Sequence, residues 1–375
     1  MTETGKLLRE LIALPSVNPA FLPGGDAKAG EHRVAACLAA KASRAGLAVE
    51  FKKALPQRPN LLLRLAPKGK PRQRILLAPH LDTVNAEPQQ FIPRKAGGRL
   101  YGRGACDTKG SVAAMITALC EVAKHGCRPA TTEIVFVGLV DEENCQSGSR
   151  ALAANGFKAD LAIVGEPTGL KVVTAHKGSL WLRFETRGKS AHGSRPDLGK
   201  NAVHEMSRVV DLIETEYAAS LTRRRHALLG QATVSVGVIA GGTQPNIVPD
   251  RCSILVDRRT LPGETEEGVR REIQGFLKGR HLQALCGDDK AMPCRPLETD
   301  PKLPLVTQFM RLLGQQTPAG VDYFSDAAIL GGGGTPSVVF GPGDIAQAHT
   351  TDEWVELAQV ERAKDIFVKF LRSLS

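Results

Sequence analysis

Apolar positions along the chain follow two spacings, and each spacing predicts a different element. Between residues 6 and 14 they recur about every three to four positions, which predicts a helix that Pro15 ends. Similar patterns predict helices over residues 31–45 and 110–124. Short continuous apolar runs predict buried strands over residues 60–65, 74–78, 133–140, 160–164, 171–174 and 337–340. Because strands and helices alternate, we expect an α/β fold with a mainly parallel sheet assembled from both ends of the chain.

The middle of the chain has a different pattern. Alternating strands are predicted over residues 180–185, 233–239 and 252–256, together with two long polar-faced helices, which indicates an inserted α+β domain. A chain of 375 residues is also long enough for two hydrophobic cores. We therefore expect a discontinuous first domain, residues 1–176 and 288–375, and an inserted second domain, residues 177–287.

Composition and charge exclude several classes of protein. The net charge is +10, with a basic run at residues 223–225, but aromatic residues make up only 5% of the chain, so we expect no nucleic-acid partner. Apolar runs are shorter than a membrane span and the start lacks the pattern of a secretion signal, so we expect a cytoplasmic protein without a membrane partner. The eight cysteines form no CxxC pair, which favours free thiols.

Histidine and carboxylate side chains follow the predicted strands, at the point where each strand ends. His80 and Asp82 come after residues 74–78. The others are Glu142 and Glu143 after residues 133–140, Glu166 after residues 160–164, and His349 in the loop after residues 337–340. Ligands of open α/β sheets bind at the carboxyl ends of the strands, so these side chains should converge in one crevice. Asp107, just before the helix at residues 110–124, can enter the same crevice.

Such a group of side chains suits divalent metal ions. Two imidazoles with several carboxylates and no paired thiolates match zinc, cobalt or manganese, and zinc is our first choice. Two metals about 3.5–4 Å apart, sharing a carboxylate, would polarise an amide carbonyl and deliver hydroxide at neutral pH. The Asp82 carboxylate is placed to hold the second ring nitrogen of His80, as metal-bound histidines require.

Each of these residues also has a purely structural interpretation. A single histidine after a strand, such as His80 or His349, usually serves the fold, and an acidic run such as residues 141–143 is most often a solvated turn. Cys106 and Cys145 lie beside the candidate ligands, and we interpret them as packing thiols. A non-catalytic binding protein on a hydrolase scaffold also stays open, although every proposed ligand is present in the chain.

Several sequence blocks carry a family resemblance across nearly the whole chain. They are APHLDTV at residues 78–84, LYGRGACDTKG at 100–110, DEE at 141–143, VGEPT at 164–168, AHKG at 175–178, SAH at 190–192, GPG at 341–343 and AHTTDE at 348–353. In this order they resemble the zinc-dependent M20 family of amidohydrolases and peptidases, and within it the acetylornithine deacetylases. The resemblance implies an α/β/α catalytic domain that binds the metals and a ferredoxin-like inserted domain that serves as lid and dimerisation domain.

The resemblance also implies a role for each candidate residue. Two metal sites are implied by two sets of ligands that share Asp107 as the bridge: His80, Asp107 and Glu166, and Asp107, Glu143 and His349. Asp82 would orient His80. Glu142 would take a proton from the bridging water and pass it to the leaving amine.

Three residues of the inserted domain are implied to act on the substrate. His192 would reach a neighbouring subunit's active site and donate a hydrogen bond to the developing oxyanion. Asn246 and Arg259 would grip the α-carboxylate of the substrate, a task that suits the planar fork of arginine. The resemblance thus implies a homodimer.

The expected substrate is a small N-acyl amino acid, with N-acetylornithine first. A succinyl-diaminopimelate desuccinylase, an aminoacylase, and a metallo-carboxypeptidase or dipeptidase are the alternatives within the same family. Residues 322–326, DYFSD, resemble the stretch that lines the substrate side in the deacetylases but differ in detail. The sequence therefore predicts the reaction type and leaves the acyl group and the amino acid open.

Overall fold

The computed structural model describes residues 1–124, 128–288, 292 and 294–375, and the chain divides into two compact units. The first unit comprises Met1–Thr174, Thr299–Ala319 and Ser325–Ser375, and the second comprises Ala175–Glu298 and Gly320–Phe324. Each unit has its own hydrophobic core. The seven cysteines in the described part of the chain are free thiols, and Cys127 lies outside it.

The helices and strands are numbered in chain order. The helices are α1 Glu3–Ile12, α2 His32–Arg44, α3 Gly110–Lys124, α4 Ser147–Ala154, α5 Ala202–Leu212, α6 Ala218–Leu221, α7 Glu266–Gly279, α8 Pro304–Leu312, α9 Ala327–Gly332 and α10 Leu357–Arg372. The strands are β1 Ala48–Leu55, β2 Arg58–Leu65, β3 Gln73–Pro79, β4 Arg94–Ala96, β5 Arg99–Tyr101, β6 Thr132–Gly138, β7 Leu161–Gly165, β8 Val173–His176, β9 Gly178–Arg187, β10 Arg225–His226, β11 Gly230–Gln231, β12 Thr233–Gly241, β13 Arg251–Thr260, β14 Leu285–Asp288, β15 Leu297–Glu298, β16 Ala319–Val321, β17 Ser337–Val339 and β18 Trp354–Glu356.

The first unit is built on an open sheet with the strand order β1-β2-β6-β3-β7-β17-β8. The four central strands, β6, β3, β7 and β17, run parallel to one another. The flanking strands β1, β2 and β8 are antiparallel to their neighbours. Beyond their first one or two residues the central strands are continuously apolar, because both of their faces are covered there, as at Leu76, which pairs with Val135 and Ala162. The predicted α/β fold with a mainly parallel sheet is confirmed.

Helix α3 lies at the centre of the first unit. Its side chains are buried along almost its whole length, and it packs against α1 and α10. A helix that is apolar on every side is stable only when surrounded in this way. The loop that precedes α3 therefore ends on a firmly held helix.

Helix α1 begins at an N-cap, where the Thr2 hydroxyl accepts a hydrogen bond from the Gly5 amide at 3.2 Å.

The second unit has the chain order β9-α5-β12-β13-α7-β14. Its four strands form an antiparallel sheet in the order β12-β13-β9-β14, and α5 packs on β9 and β13. This βαββαβ arrangement is the ferredoxin-like pattern expected from the sequence. Strand β13 alternates between buried and half-buried positions because only one of its faces meets the core. Strand β12 is an edge of the sheet.

A small antiparallel sheet in the first unit joins distant parts of the chain. It consists of β4, β5 and β18, in which Trp354 pairs with Tyr101. Arg99 stacks on the Trp354 ring, with its guanidinium carbon 3.7 Å from the ring centroid. This sheet brings the segment after His349 beside the loop that carries Asp107. In the part of the chain that the structure describes, no helix is both long enough and apolar enough to span a membrane.

Candidate metal centre

The carboxyl ends of three parallel strands meet at one edge of the first unit's sheet. His80 follows β3 directly, Glu142 and Glu143 follow β6, and Glu166 follows β7. Strand β3 lies between β6 and β7, so these residues become neighbours although the sequence separates them widely. A bridge between His80 and Leu139 extends the pairing of β3 and β6 toward the acidic pair.

The side chains at this edge form a connected cluster around Asp107. One carboxylate oxygen of Asp107 lies 2.9 Å from Nε2 of His80, and the other lies 3.3 Å from Nε2 of His349. Nε2 of His349 is also 3.1 Å from Oε2 of Glu143, and Nε2 of His80 is 3.7 Å from Oε1 of Glu166. Ligand atoms of His80, Asp107 and Glu143 all lie within 4.8 Å of one another. The structure thus brings the five predicted ligands together, with Asp107 between the two histidines.

The cluster has the chemistry of a site for divalent cations. Oε1 of Glu143 and Oε1 of Glu166 are buried, and among the described residues neither has a hydrogen-bond partner. Burial raises the pKa of both carboxyl groups, because a charged carboxylate is costly in an apolar environment. Hydrogen bonds to Asp107 and Glu143 raise the pKa of His349 to about 10. Unpartnered carboxylate oxygens, imidazole nitrogens and excess negative charge fit metal ions bound by nitrogen and oxygen.

Glu142 lies beside this cluster in a buried position. Burial raises the pKa of its carboxyl group well above the ordinary value, and the nearby carboxylates of Glu166 and Glu143 add to the effect, while His80 opposes it. The backbone of Glu142 is fixed by a hydrogen bond from its amide to Oδ1 of Asp82 at 3.1 Å. A carboxylate held beside the candidate ligands can accept a proton from a molecule bound there and return it.

Asp82 connects two loops of the centre. Its carboxylate accepts the amide hydrogens of Glu142 and Glu143, at 3.1 and 3.2 Å, and a hydrogen bond from Asn18 at 2.7 Å. Nδ1 of His80 lies 3.0 Å from the backbone carbonyl oxygen of Asp82 and 3.5 Å from its Oδ1. The backbone of Asp82 is therefore the nearer partner of His80, and its carboxylate mainly fixes the turn that carries Glu142 and Glu143.

Left-handed backbone conformations occur beside the cluster at residues other than glycine. His349 and Asp141 have φ values of 62° and 68°, a left-handed conformation that residues other than glycine rarely adopt. Such conformations persist where the surrounding structure enforces them, and they concentrate at functional sites. At His349 this turn places the imidazole against Asp107 and Glu143 while about half of the side chain stays exposed, at 54%.

Three buried residues around the centre lie in the blocks quoted above but were given no role from the sequence. Asp326 is buried, accepts a hydrogen bond from the Ser149 hydroxyl, and has a pKa that burial raises to about 7. Glu353 and Arg103 form a buried ion pair at 2.8 Å. Arg103 lies in the LYGRGACDTKG block and Glu353 ends the AHTTDE block, but nothing in these blocks sets either residue apart from its neighbours.

The other three predicted site residues lie in the second unit. His192 and Asn246 are exposed on two adjacent turns, where the Gly193 amide donates to the Asn246 carbonyl at 2.7 Å. Nδ1 of His192 accepts the Ser194 amide hydrogen, so the neutral ring carries its proton on Nε2. Arg259 is half-buried, with Nε 2.9 Å from Oδ2 of Asp257. These residues contact their own neighbours rather than a shared cluster.

The cysteines beside the candidate ligands have different surroundings. Cys106 is buried, its thiol lies 3.2 Å from the Asp344 carbonyl oxygen, and burial raises the pKa of the thiol. A thiol in this environment stays protonated and is a poor metal ligand. Cys145 is half-buried, and its carbonyl accepts a hydrogen bond from Arg150 at 2.9 Å.

An open, mainly parallel sheet with this cluster at its strand ends defines the scaffold of a metal-dependent hydrolase. The chain belongs to peptidase family M20/M25/M40, whose sequence model matches residues 76–373. The family predicted from the motifs is thereby confirmed.

Individual proteins of known name or structure resemble the chain over almost its full length. A protein named acetylornithine deacetylase from Proteus mirabilis is 29% identical, with 98% of this chain and 96% of the relative covered. The aminopeptidase PepT of Bacillus cereus has a similar structure, with a TM-score of 0.78 at 20% identity over 99% of this chain and 97% of the other. The Bacillus subtilis YXEP protein, described as a dinuclear metal-binding M20 peptidase, has a TM-score of 0.70 at 14% identity over 98% and 96% of the two chains.

Proposed function

We propose that this hydrolase removes the acyl group from a small N-acyl amino acid by hydrolysing its amide bond, as an enzyme similar to acetylornithine deacetylase. The observation that carries the proposal is the position of Asp107, whose two carboxylate oxygens each face a different histidine, with Glu142 buried beside them. A carboxylate shared in this way suits two cations rather than one.

The proposed ligands fall into two groups that share Asp107. The first consists of His80, Asp107 and Glu166, and the second of Asp107, Glu143 and His349. Zinc is the metal we propose first, with cobalt and manganese as alternatives, because the donors are nitrogen and oxygen without thiolate. When bound, two such cations would polarise the amide carbonyl and make a water acidic enough to attack at neutral pH.

Glu142 is the proposed general base and general acid. Its carboxylate accepts a proton as the water oxygen forms a bond to the carbonyl carbon, and it then returns that proton to the amide nitrogen as the carbon–nitrogen bond breaks. The products are a carboxylate and a free amine. Asp82 supports this step indirectly, since it holds the amides of Glu142 and Glu143.

We propose that the second unit serves as the lid and pairs two copies of the chain. Strand β12 lies at the edge of its sheet, and its Val238 and Ile239 are exposed at 50% and 57%. An exposed, apolar edge strand favours pairing with another strand. His192, with its proton on Nε2, would then donate to the oxyanion in a neighbouring subunit, while Asn246 and Arg259 would bind the substrate's α-carboxylate.

The experiment that tests this function compares several substrates with and without metal. N-acetylornithine, N-succinyl-diaminopimelate, N-acetylmethionine and a simple dipeptide are offered to the purified enzyme, to chelated enzyme, and to chelated enzyme with zinc or cobalt restored. We expect N-acetylornithine to be cleaved fastest and activity to follow metal content. Cleavage of another member of the panel would move the substrate to that class, and metal-independent cleavage would overturn the mechanism.

A further inference from the structure

Glu353 occupies a position that neither the ligand set nor the general base explains. Its side chain is 1% exposed and accepts four hydrogen bonds. Oε1 accepts the amide hydrogens of Cys106 and Asp107, at 2.8 and 3.0 Å. Oε2 accepts the amide hydrogen of Gly104 at 2.9 Å and a hydrogen bond from Nη1 of Arg103 at 2.8 Å. A single carboxylate therefore fixes the backbone of the loop that ends at Asp107.

Two further hydrogen bonds tie this loop to the segment that carries His349. Arg103 is also buried, and its Nη2 donates to the Thr350 carbonyl at 3.2 Å. The Gly102 amide donates to the Glu353 carbonyl at 3.0 Å. Arg103 and Glu353 thus join two loops, one with Asp107 and the other with His349. We refer to this pair as the loop clasp.

In the part of the chain that the structure describes, the clasp reaches the His80 side of the centre through Asp107 alone, whose Oδ1 lies 2.9 Å from Nε2 of His80. His80 is positioned by β3 and by the contact of its Nδ1 with the Asp82 carbonyl, and Glu166 is positioned by β7. His349 has no strand behind it, because it lies ten residues after β17 in a loop, in a left-handed conformation. Loss of the clasp should therefore disturb the Asp107–His349 side more than the His80 side.

The chemistry of the three amides explains why a carboxylate is needed. Buried amide hydrogens without an acceptor cost free energy, and charge-assisted hydrogen bonds are the stronger ones. A glutamine in place of Glu353 would keep one acceptor oxygen, while its NH₂ group would face hydrogen-bond donors of the loop or of Arg103. Those donors could find new acceptors only if the loop moved.

We propose that Glu353, held by Arg103, is a positioning residue that sets Asp107 relative to His349 and is needed to fill the second of the two cation sites. The inference rests on the proposed two-metal function. It assigns no contact between Glu353 and either cation.

The test is titration of metal-free, full-length enzyme with Co²⁺, followed by calorimetry and by the visible absorption of bound cobalt. We expect wild type to bind two Co²⁺ per chain. In Glu353→Gln the first should bind with little change and the second about 10- to 100-fold more weakly, the range found when residues supporting metal ligands are removed. Arg103→Met, which keeps all three amide contacts, should weaken the second site less. Asp352→Asn removes an exposed neighbouring carboxylate and should match wild type.

The possible outcomes distinguish a failure of the clasp inference from a failure of the proposed two-metal function. Two Co²⁺ bound by Glu353→Gln with wild-type affinity would overturn the inference, as would equal weakening of both sites in the milder Arg103→Met variant. If Glu353→Gln does not fold, Arg103→Met decides alone. Weaker Co²⁺ binding at the second site only would support the inference, and equally weakened binding at both sites would overturn it. Fewer than two Co²⁺ on the wild-type chain would instead defeat the proposed two-metal function, whatever Glu353 does.

Discussion

The candidate residues of the first unit and those of the second differ in what holds them in place. His80, Asp107 and Glu143 are largely enclosed, with ligand atoms within 4.8 Å of one another, and Oε1 of Glu143 has no hydrogen-bond partner among the described residues. His192 and Asn246 are exposed, and among the described residues their hydrogen bonds lie within and between their two adjacent turns. Buried charge requires compensation within its own unit, whereas an exposed side chain is stable with or without a function. The buried residues of the first unit therefore indicate a bound cation by themselves. A role for the exposed residues of the second unit depends on a substrate or partner that binds to them.

The largest effect that would test the buried group comes from Glu142→Gln. Loss of the general base should lower kcat by about 10²- to 10⁴-fold. Metal content, measured by elemental analysis, should stay at the wild-type value because Glu142 is not among the proposed ligands. Glu133→Gln, which alters a carboxylate paired with Arg74 near the opposite end of β6, should retain activity. Normal turnover in Glu142→Gln, or loss of metal with it, would remove Glu142 from this role.

His192→Ala tests whether an exposed residue of the second unit has a catalytic role. Loss of one oxyanion donor should lower kcat by about 10²- to 10³-fold, with a small change in KM. The matched control is His204→Ala, an exposed histidine on α5 in the same unit, which should behave as wild type. Equal kcat values for the two variants would make His192 a surface residue and would sharpen the contrast between the units.

Arg259→Met tests a smaller contribution, to binding. A charge-assisted hydrogen bond to a carboxylate is worth about 1.5–3 kcal/mol, so KM should rise by about 10- to 100-fold while kcat changes little. Arg251→Met, at the exposed start of the same strand, provides the comparison. If both variants keep the wild-type KM, another group must bind the α-carboxylate.

The smallest expected effect concerns His176, a buried histidine of the second unit. The histidines around Asp107 lie against carboxylates, whereas the described hydrogen bond of the His176 ring is to a backbone carbonyl. Nδ1 of His176 lies 2.9 Å from the Lys177 carbonyl, its Nε2 has no partner among the described residues, and burial lowers its pKa to about 4. Below pH 6.5 the unfolded chain takes up a proton that the folded chain refuses until about pH 4, so stability present above pH 6.5 is lost as the pH falls toward 4.

His176→Gln should remove about 1 kcal/mol of the stability difference between pH 7 and pH 5.5, measured by denaturant unfolding. The comparison is between pH slopes, so a uniform loss of stability in the variant does not affect it. His204→Gln should keep the wild-type slope. An unchanged slope in His176→Gln would mean that a charged partner compensates His176 after all.

Much of the fold could be predicted from the sequence because its elements are strongly periodic. The helix at residues 110–124 and the strand at residues 74–78 correspond to α3 and to the middle of β3. Strand β1 was not predicted, since Lys52 and Lys53 interrupt its apolar pattern and the strand lies at the exposed edge of the sheet. The three-residue strands β4, β5 and β18 carry too few positions to show a period.

The candidate centre was predictable to the extent that its residues stand at strand ends or in motifs. Parallel strands bring their carboxyl ends together, so His80, Glu143 and Glu166 could be grouped without coordinates. The supports could not be found in this way. Asn18 reaches Asp82 across 64 positions of sequence, and Glu353 reaches the Asp107 amide across 246. Such contacts depend on how loops pass one another, which periodicity does not record.

The place of β17 in the sheet has a consequence for synthesis of the protein on the ribosome. This strand pairs in parallel with β7, with Ser337 opposite Ala162, and therefore enters the sheet long after its neighbour has been translated. Until then β7 has an open edge, which is a site for incorrect pairing. His349 emerges later still. A nascent chain should consequently need protection from aggregation between the translation of β7 and that of β17, and remain inactive until His349 has been added.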